Sequence, residues 1–194
     1  TDIDNQAVQK DHGKQAVAFL EDLGILGPNL MAVHCVKMEP HELDLFGRMG
    51  VKVSHNPSSN MYLGSGIAPI LDMLEKRITV GLATDSGGSN SDDMLEIMED
   101  TTFLQKVAME DPAVITAQDV LDMATLGGAD ALGRRQLLPP VLRADDADLH
   151  AGDVRVPADH GARRQPVPGP GLERQGGRAA PARAAGAAPD QRDD

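Results

Sequence analysis

The sequence predicts an α/β fold in which parallel strands alternate with helices. Three short apolar runs indicate buried strands, NLMAVHC at residues 29–35, VKVSH at 51–55 and ITVGLAT at 78–84. Stretches with apolar residues at helical spacing lie between and after them, and one strand with its helix takes about 20 to 30 residues, as in parallel βα units. Three such units leave open sheet edges, and a complete (β/α)8 barrel needs about 250 residues. We therefore expect half of such a barrel.

Four helices are predicted from apolar spacing and from the signals at their ends. Gly24 and Gly50 end the first two as C-caps, and Pro69 opens the third. Residues 56–68 are rich in Asn, Ser and Gly and are predicted to form a loop. The residues expected on the inward faces are Val17, Leu20 and Leu23, then Leu43, Phe46 and Met49, then Ile70, Met73 and Leu74, and finally Met94, Ile97, Thr101, Leu104 and Ala108.

A fifth helix is predicted to begin after Thr116. Thr116 and Asp119 resemble a capping box, with Asp in place of the usual Glu, and the helix should run to about Leu132. In this motif the two side chains accept hydrogen bonds from backbone N–H groups that otherwise lack a partner. Both residues are therefore expected to mark the first turn.

The composition changes near residue 140. Residues 1–140 contain all six lysines, all three phenylalanines and the single tyrosine, whereas residues 141–194 contain no Lys, Ile, Met or aromatic residue. A segment of Ala, Arg, Pro, Gly and Asp buries too little apolar surface to offset the chain entropy lost on folding. We expect residues 1–133 to be the ordered part and residues 134–194 a low-complexity, disordered tail. Either a reading-frame change in a GC-rich coding sequence or a genuine linker explains such a tail.

Charge and cysteine content limit the partners and the compartment. Residues 1–140 carry 21 acidic and 10 basic side chains, a formal charge of −11, and such a surface repels phosphate backbones, so no nucleic-acid partner is expected. No apolar run approaches the roughly 20 residues of a membrane span, so no membrane partner is expected. Cys35 is the only cysteine, which excludes an internal disulfide and predicts a cytoplasmic protein. Whether the chain forms a homo-oligomer stays open.

Each predicted strand ends at a polar residue, namely His34, His55 and Asp85. In a βα barrel the carboxyl ends of the strands face the active site, so polar side chains there are expected to take part in catalysis and to lie close together. Each residue also has a structural interpretation. His34 would be a hydrogen-bonded, partly buried histidine, and His55 would bond the turn-forming loop after it, which is the preferred interpretation for His55. Asp85 would cap the next turn.

The segment GLATDSGGSNSDD at residues 81–93 raises a competing interpretation, because Asp-Ser-Gly-Gly also surrounds the nucleophile of chymotrypsin-like proteases. That architecture is all-β, contains several disulfides and has its catalytic residues in the chain order His, Asp, Ser. Here strands alternate with helices, Cys35 has no disulfide partner, and 52 residues separate His34 from Ser86, too few for two barrels. The protease interpretation is rejected, and Ser86 is assigned a turn or capping role.

Four motifs, in one order and spacing, resemble a known family. They are LGILGPNLMAVHC, VKVSHNPSSNMYLGSGIAPILDML, VGLATDSGGSNSDDMLE and MATLGGADALG. Together they are similar to the C-terminal half of the amidohydrolase superfamily, in the branch of methylthioadenosine and S-adenosylhomocysteine deaminases, guanine deaminases and triazine hydrolases. The similarity covers Thr1 to about Gly133. It implies strands six to eight of the TIM-type (β/α)8 barrel of a metal-dependent hydrolase.

The resemblance implies a chemistry and two site residues. A divalent metal, usually zinc and sometimes iron, would activate a water near neutral pH. Asp85 matches the strand-eight aspartate that binds this metal and helps to hold the attacking water. His34 matches the strand-six histidine that hydrogen-bonds the nucleophile or the developing tetrahedral centre. Water would then attack a purine-, pterin- or triazine-like ring and expel ammonia. A small heterocycle is thus the expected partner, and no substrate-binding residue is assigned.

The resemblance also implies what the sequence lacks. Family members carry a His-x-His pair on strand one and a histidine on strand five that is followed three residues later by a proton-shuttling glutamate, and neither motif is present here. Since a catalytic zinc needs about three protein ligands, the chain alone is expected to bind zinc weakly and to be inactive. Two hypotheses remain. The chain is either a fragment of a deaminase that works in its full-length form, or a non-catalytic truncated product or interaction module.

Overall fold

The computed structural model describes residues 2–87 and 91–139, all of which belong to one compact unit. The tail predicted beyond Pro139 lies outside the described residues, and its disorder stays a prediction. The helices of the described residues are α1 (Asp2–His12), α2 (Ala16–Asp22), α3 (Pro40–Met49), α4 (Pro57–Tyr62), α5 (Ile70–Glu75), α6 (Met94–Met109), α7 (Ala117–Asp122) and α8 (Gly128–Ala131), with a π-helical segment (Met123–Gly127) between α7 and α8 and a 3₁₀ turn (Arg135–Leu137) after α8. The strands are β1 (Met31–Val33), β2 (Lys52–His55) and β3 (Val80–Leu82).

The three strands form one parallel sheet in the order β1, β2, β3. Met31 lies opposite Lys52 and Val33 opposite Ser54 in the first pair, and Ser54 lies opposite Gly81 in the second. Helices connect each strand to the next, as parallel pairing requires. The predicted α/β fold with parallel strands is therefore confirmed, whereas the half-barrel architecture stays a prediction.

Helices α3 and α5 supply the centre of the hydrophobic core. The most deeply buried apolar side chains are Leu43 and Phe46 of α3, Ile70, Leu71 and Met73 of α5, and Val53 and Val80 of the strands. Removing a side chain of this size from water contributes about 1.5 to 3 kcal/mol. Gly50 ends α3 in the left-handed conformation with φ 70°, as its predicted role as a C-cap requires. The inward faces predicted for these two helices are found in the core, except that Met49 is exposed.

Strand β1 is more exposed than predicted. The sequence predicts a strand buried on both faces, but Met31 is 40% exposed and Val33 is 50% exposed. Within the described sheet β1 is an edge strand that pairs with β2 alone. Strand β3 is also an edge strand but is buried, because the π-helical segment and α8 pack against it, and no described helix covers β1 to the same extent. An apolar run indicates that a strand is suited to burial, but its actual burial depends on the elements that pack against it.

Helix α6 buries part of the predicted face, because Ile97 and Thr101 are buried as predicted. Its buried residues are Ile97, Thr101, Gln105 and Met109. Met94 and Ala108, predicted to face inward, are exposed. Gln105 is tolerated in the core because its side-chain amide donates to the carbonyl oxygen of Ala68 at 3.2 Å. Leu23, likewise predicted to face inward, is exposed as the C-cap residue of α2. No helix in the described part of the chain has the length and apolar character to cross a membrane.

Two helices are absent from the sequence prediction. Helix α1 contains few apolar residues, and α4 lies in the stretch predicted as a loop. Pro57 occupies the first turn of α4. A backbone N–H at this position has no partner within the helix, so proline, which lacks the N–H, is tolerated there. Ser59 and Asn60 are buried, and Ser58 donates a hydrogen bond to the carboxylate of Asp100 on α6. Such tertiary contacts stabilise a helix that is too short to form on its own.

The predicted capping box opens α7. The Oγ1 atom of Thr116 accepts from the Asp119 backbone N–H at 3.2 Å, and the Asp119 carboxylate accepts from the Thr116 backbone N–H at 2.8 Å. Helical backbone then continues through the π-helical segment and α8, so the predicted end near Leu132 is confirmed. At Gly127 a Cβ atom would lie 2.1 Å from the carbonyl oxygen of Val80. Only glycine allows this segment to approach β3 so closely.

The residues after α8 remain in contact with it. The guanidinium group of Arg135 donates two hydrogen bonds to the carboxylate of Asp130, at 2.7 and 2.9 Å. The two-point geometry fixes the 3₁₀ turn against the end of α8. Residues 134–139, which the sequence assigns to the tail, therefore include an ordered turn, and the predicted division of the chain at residue 133 stays a prediction.

Candidate functional site

His34 and Asp85 lie at the same end of the parallel sheet. His34 directly follows β1, and Asp85 comes three residues after β3, so both side chains leave the carboxyl ends of their strands. The Nε2 atom of His34 lies 3.6 Å from the Oδ2 atom of Asp85, and the two side chains are 29% and 36% exposed. The structure thus brings together two of the three polar residues that the sequence places at strand ends. Their chemical roles stay predictions.

The backbone at both residues is left-handed. The φ angle is 66° at His34, 46° at Cys35 and 48° at Asp85, a region that residues other than glycine rarely adopt. The Cys35 backbone N–H donates to the Val33 carbonyl oxygen at 2.9 Å, which closes a γ-turn around His34, and γ-turns with positive φ are rare and strained. The His34 N–H donates to the Ser54 carbonyl oxygen of β2 at 3.0 Å, which holds this turn against the sheet. Strain of about 1 to 3 kcal/mol per residue is often found at functional sites.

Asn60 on α4 orients the imidazole ring of His34. The amide oxygen Oδ1 of Asn60 lies 2.9 Å from the Nδ1 atom of His34, and Asn60 is 1% exposed. With Nδ1 bonded to α4, the other ring nitrogen faces Asp85. Asn60 is not predicted as a site residue from the sequence, because the pattern of residues 56–68 predicts a loop where the structure has α4. The polar motif HNPSSN next to a strand end was the available signal.

His55, the third polar residue at a strand end, is completely buried. The interpretation that His55 bonds the following loop is wrong. Neither of its ring nitrogens has a hydrogen-bond partner among the described residues, and the residues after Asn56 form α4 instead of a loop. Burial, reinforced by the nearby His34, lowers the pKa of His55 to about 3. His55 is therefore neutral at physiological pH.

Buried polar atoms without partners are concentrated in residues 55–60. Besides the two nitrogens of His55, the Oγ atom of Ser59 and the Nδ2 atom of Asn60 are buried and have no hydrogen-bond partner within the described part of the chain. A buried unpaired polar group costs about 1 to 3 kcal/mol, and ordered waters commonly provide the missing partner. The stretch beside His34 is therefore suited to further polar contacts.

The carboxylate that caps α6 belongs to Asp93 and not to Asp85. The Oδ1 atom of Asp93 accepts from the Leu95 backbone N–H at 2.9 Å, and the Asp93 backbone N–H donates to the Oγ atom of Ser91 at 3.0 Å. The interpretation of Asp85 as the cap of the turn directly after it stays a prediction. Ser86 lies in the turn after Asp85, as expected.

The described residues supply only part of a metal site. In residues 2–87 and 91–139 there is no group of three or more His, Cys, Asp or Glu side chains that could hold a metal ion. Asp85 offers one carboxylate. Burial raises the pKa of Cys35, the neighbour of His34, to about 12, so that in the absence of a metal it is a thiol at neutral pH. Because a catalytic zinc has about three protein ligands, these side chains alone do not complete a zinc site.

Comparison with known proteins identifies the family. Residues 1–138 match the amidohydrolase family, and the chain belongs to this family. The resemblance that the four sequence motifs carry is therefore confirmed.

Two curated relatives are deaminases. The 5'-deoxyadenosine deaminase of Methanothermobacter thermautotrophicus is 45% identical over 134 residues, which cover 69% of this chain and 31% of the relative. The 5-methylthioadenosine/S-adenosylhomocysteine deaminase of Syntrophobacter fumaroxidans is 43% identical over 153 residues, which cover 78% of this chain and 35% of the relative. The chain thus spans about a third of the length of these relatives.

Two solved structures share the fold of the matched segment. An adenosine deaminase from Xanthomonas campestris with bound zinc has a TM-score of 0.64 and 33% identity, over 67% of this chain and 30% of its own. An atrazine chlorohydrolase from Arthrobacter aurescens TC1 complexed with zinc has a TM-score of 0.65 and 27% identity, over 68% of this chain and 30% of its own. Both neighbours hold zinc, the metal that the resemblance implies for the family.

Proposed function

We propose that this chain is part of a metal-dependent deaminase, which hydrolyses a C–N bond of a purine-like ring and releases ammonia. Pterin- and triazine-like rings belong to the same class of substrate, and the names of the two curated relatives favour an adenosine-type purine. The observation that carries the proposal is the 3.6 Å approach of His34 Nε2 to Asp85 Oδ2 at the carboxyl end of the sheet.

The separation of these two atoms has a chemical meaning. A carboxylate oxygen only accepts hydrogen bonds, and the Nε2 atom of a neutral His34 that carries its proton on Nδ1 is also an acceptor. Two acceptors 3.6 Å apart do not bond each other and favour a cation or a proton donor near both. A divalent ion provides the cation, and a water molecule bound to it provides the proton donor. His34 and Asp85 are therefore suited to contact a metal ion and its bound water.

Asp85 is proposed as a ligand of the metal, which would be zinc or iron. When bound, the ion supplies a water that is acidic enough to act as a nucleophile near neutral pH. The carboxylate of Asp85 suits this role because it is partly exposed at the strand end and does not cap α6. The remaining ligands would come from outside the described residues, in the portion of the curated relatives that this chain does not span.

His34 is proposed to hydrogen-bond the attacking water or the developing tetrahedral centre through Nε2. Hydrolytic deamination adds the oxygen of one water to the ring carbon and breaks the bond from that carbon to the amino nitrogen. One proton of the water ends on the leaving ammonia and the other on the ring. A fixed acceptor at Nε2 would hold the water in line for attack, and such groups contribute about 10²- to 10⁴-fold in rate.

We further propose that the chain is inactive alone and works as the C-terminal part of a full-length barrel. The sequence lacks the His-x-His and His-x-x-Glu motifs that the resemblance requires, and the described side chains supply one proposed ligand, Asp85. The cytoplasmic location and the absence of nucleic-acid and membrane partners stay predictions, and the oligomeric state stays open.

A fusion protein tests the proposal. In the Methanothermobacter thermautotrophicus relative, the segment that matches this chain is replaced by residues 1–138. Ammonia release from 5'-deoxyadenosine and bound zinc are then measured for the fusion protein and for Asp85→Asn, His34→Ala and the control Ser86→Ala. We expect Asp85→Asn to lose metal and activity, and His34→Ala to lower turnover by about 10²-fold or more with metal retained. The Ser86→Ala variant should resemble the unmodified fusion.

Two outcomes contradict the proposal. If Ser86→Ala abolishes turnover while Asp85→Asn keeps both metal and activity, the assignment of Asp85 to a metal is wrong. If the fusion protein folds and binds zinc but releases no ammonia, the hypothesis of a non-catalytic module is favoured. The unfused chain, measured beside it, should bind zinc weakly and release no ammonia.

A further inference from the structure

The hydrogen bond between Asn60 and His34 determines where the proton of the ring lies. The Oδ1 atom of Asn60 can only accept, so the Nδ1 atom of His34, 2.9 Å away, must be the donor. A neutral imidazole carries one proton. Its Nε2 atom is then a bare acceptor, and this is the atom that faces Asp85.

We propose that Asn60 is a positioning residue that holds His34 in the tautomer protonated on Nδ1 and so keeps Nε2 as an acceptor toward Asp85. The selection of the tautomer follows from the hydrogen bond itself. Its catalytic value rests on the proposed function, because a bare Nε2 can accept a hydrogen bond from an attacking water and a protonated Nε2 cannot.

The distance between His34 and Asp85 favours this tautomer over the alternative. If the Asn60 amide were turned, its NH₂ group would donate to a bare Nδ1, and the Nε2–H group would donate to the Asp85 carboxylate. A charge-assisted bond of that kind is about 2.7 to 2.9 Å long. The observed separation of 3.6 Å is too long for such a bond, which is consistent with an Nε2 atom that carries no proton.

Backbone hydrogen bonds hold the main chain of Asn60 in place. Its backbone N–H donates to the Asn56 carbonyl oxygen at 3.0 Å, and its own carbonyl oxygen accepts from the Ser65 N–H at 2.8 Å. In the same helix, Ser58 donates a hydrogen bond to the carboxylate of Asp100, and this bond joins α4 to α6. With 1% exposure, Asn60 is shielded from bulk water that would compete for its oxygen.

The ring protons can be observed directly in the chain as it stands. In a ¹⁵N-labelled sample at about pH 8, where a free imidazole is neutral, long-range ¹H–¹⁵N spectra distinguish a proton on Nδ1 from one on Nε2. The His34→Gln variant identifies the signals of His34. We expect the wild-type ring to be protonated on Nδ1. A wild-type ring protonated on Nε2 overturns the proposal without any further variant.

Three substitutions separate positioning from general structural support. Asn60→Leu removes the acceptor at similar volume and should shift His34 toward the tautomer protonated on Nε2. Asn60→Asp keeps an acceptor and should retain the proton on Nδ1. The control is Asn56→Leu, because Asn56 is also buried but its side chain accepts from Ser54 Oγ at 3.2 Å and not from the His34 ring.

An unchanged tautomer in Asn60→Leu, or an equal change in Asn56→Leu, contradicts the proposal. Should Asn60→Leu fail to fold, the wild-type and Asn60→Asp spectra still decide it. In the fusion protein, Asn60→Leu should lower kcat by about 10²-fold with little change in KM, and Asn60→Asp should restore part of the loss. An inactive fusion contradicts the proposed function alone, whereas an active one in which Asn60→Leu keeps full kcat contradicts the positioning role.

Discussion

Acidification should destabilise the folded chain through His55. Burial, with a smaller contribution from His34, lowers the pKa of His55 to about 3 in the folded state, whereas an exposed histidine in the unfolded chain titrates at about 6.5. Below pH 6.5 or so, the unfolded state therefore binds a proton that the folded state does not. The free energy of unfolding falls as the pH falls from about 6.5 to about 3, and His55 has no effect on it well above pH 6.5.

The size of this effect follows from the two pKa values. Each pH unit between them changes the free energy of unfolding by about 1.4 kcal/mol. Between about pH 7.5 and pH 4.5 the loss should be about 3 kcal/mol, and over the whole interval it approaches about 5 kcal/mol. A loss of this size is a large fraction of the stability of a typical domain, which is about 5 to 15 kcal/mol.

Urea unfolding followed by circular dichroism at a series of pH values measures the effect. Carboxylates also titrate in this range, so the informative quantity is the difference between the wild-type chain and His55→Leu, which lacks the titrating ring. The variant should lose less stability on acidification, by about 3 kcal/mol between about pH 7.5 and pH 4.5. Parallel stability curves for the two proteins would refute the assignment of a buried, neutral His55.

Two further predictions concern packing and capping. Gly127→Ala should destabilise the chain by about 1 to 3 kcal/mol in urea unfolding, because the added Cβ would lie 2.1 Å from the Val80 carbonyl oxygen. In the adjacent control Gly128→Ala the added Cβ would lie 3.8 Å from the Met123 carbonyl oxygen, so this variant should be neutral or stabilising by up to about 1 kcal/mol. Equal effects at both positions would argue against the close approach. Thr116→Ala should cost about 1 kcal/mol through loss of the cap, whereas Thr125→Ala, in the helix interior and exposed, should not; similar losses would mean that the capping box contributes nothing specific.

The sequence predicts those parts of the fold that local pattern determines. The three strands, the glycine that ends α3 and the capping box at Thr116 are encoded by apolar runs and by residues with definite backbone preferences. Helix α4 was missed because Asn and Ser favour turns locally, and the buried Asn60 and the bond from Ser58 to Asp100 become visible only in three dimensions. The exposure of β1 depends on which helices pack against it, and the sequence of one strand does not contain this information.

The candidate site was predictable to a similar extent. His34 and Asp85 could be selected because parallel strands place their carboxyl ends together, and the structure brings them within 3.6 Å. The hydrogen-bond partner of His34 could not be selected from the sequence, since Asn60 is 26 residues away along the chain. For His55 the turn-forming residues after it suggested a hydrogen bond, and the error arose because those residues are helical and leave its ring without a partner in the described structure.

The left-handed backbone at the end of the sheet means that folding stability and the proposed catalytic side chains favour different residues at His34 and Asp85. Glycine adopts the positive φ of His34 and Asp85 with less strain, so substitutions chosen only for folding would tend to remove the imidazole and the carboxylate. The same substitutions would erase the pair on which the proposed reaction depends. Computational stabilisation of this chain therefore needs these positions held fixed, because a gain in folding free energy there would remove the proposed catalytic pair.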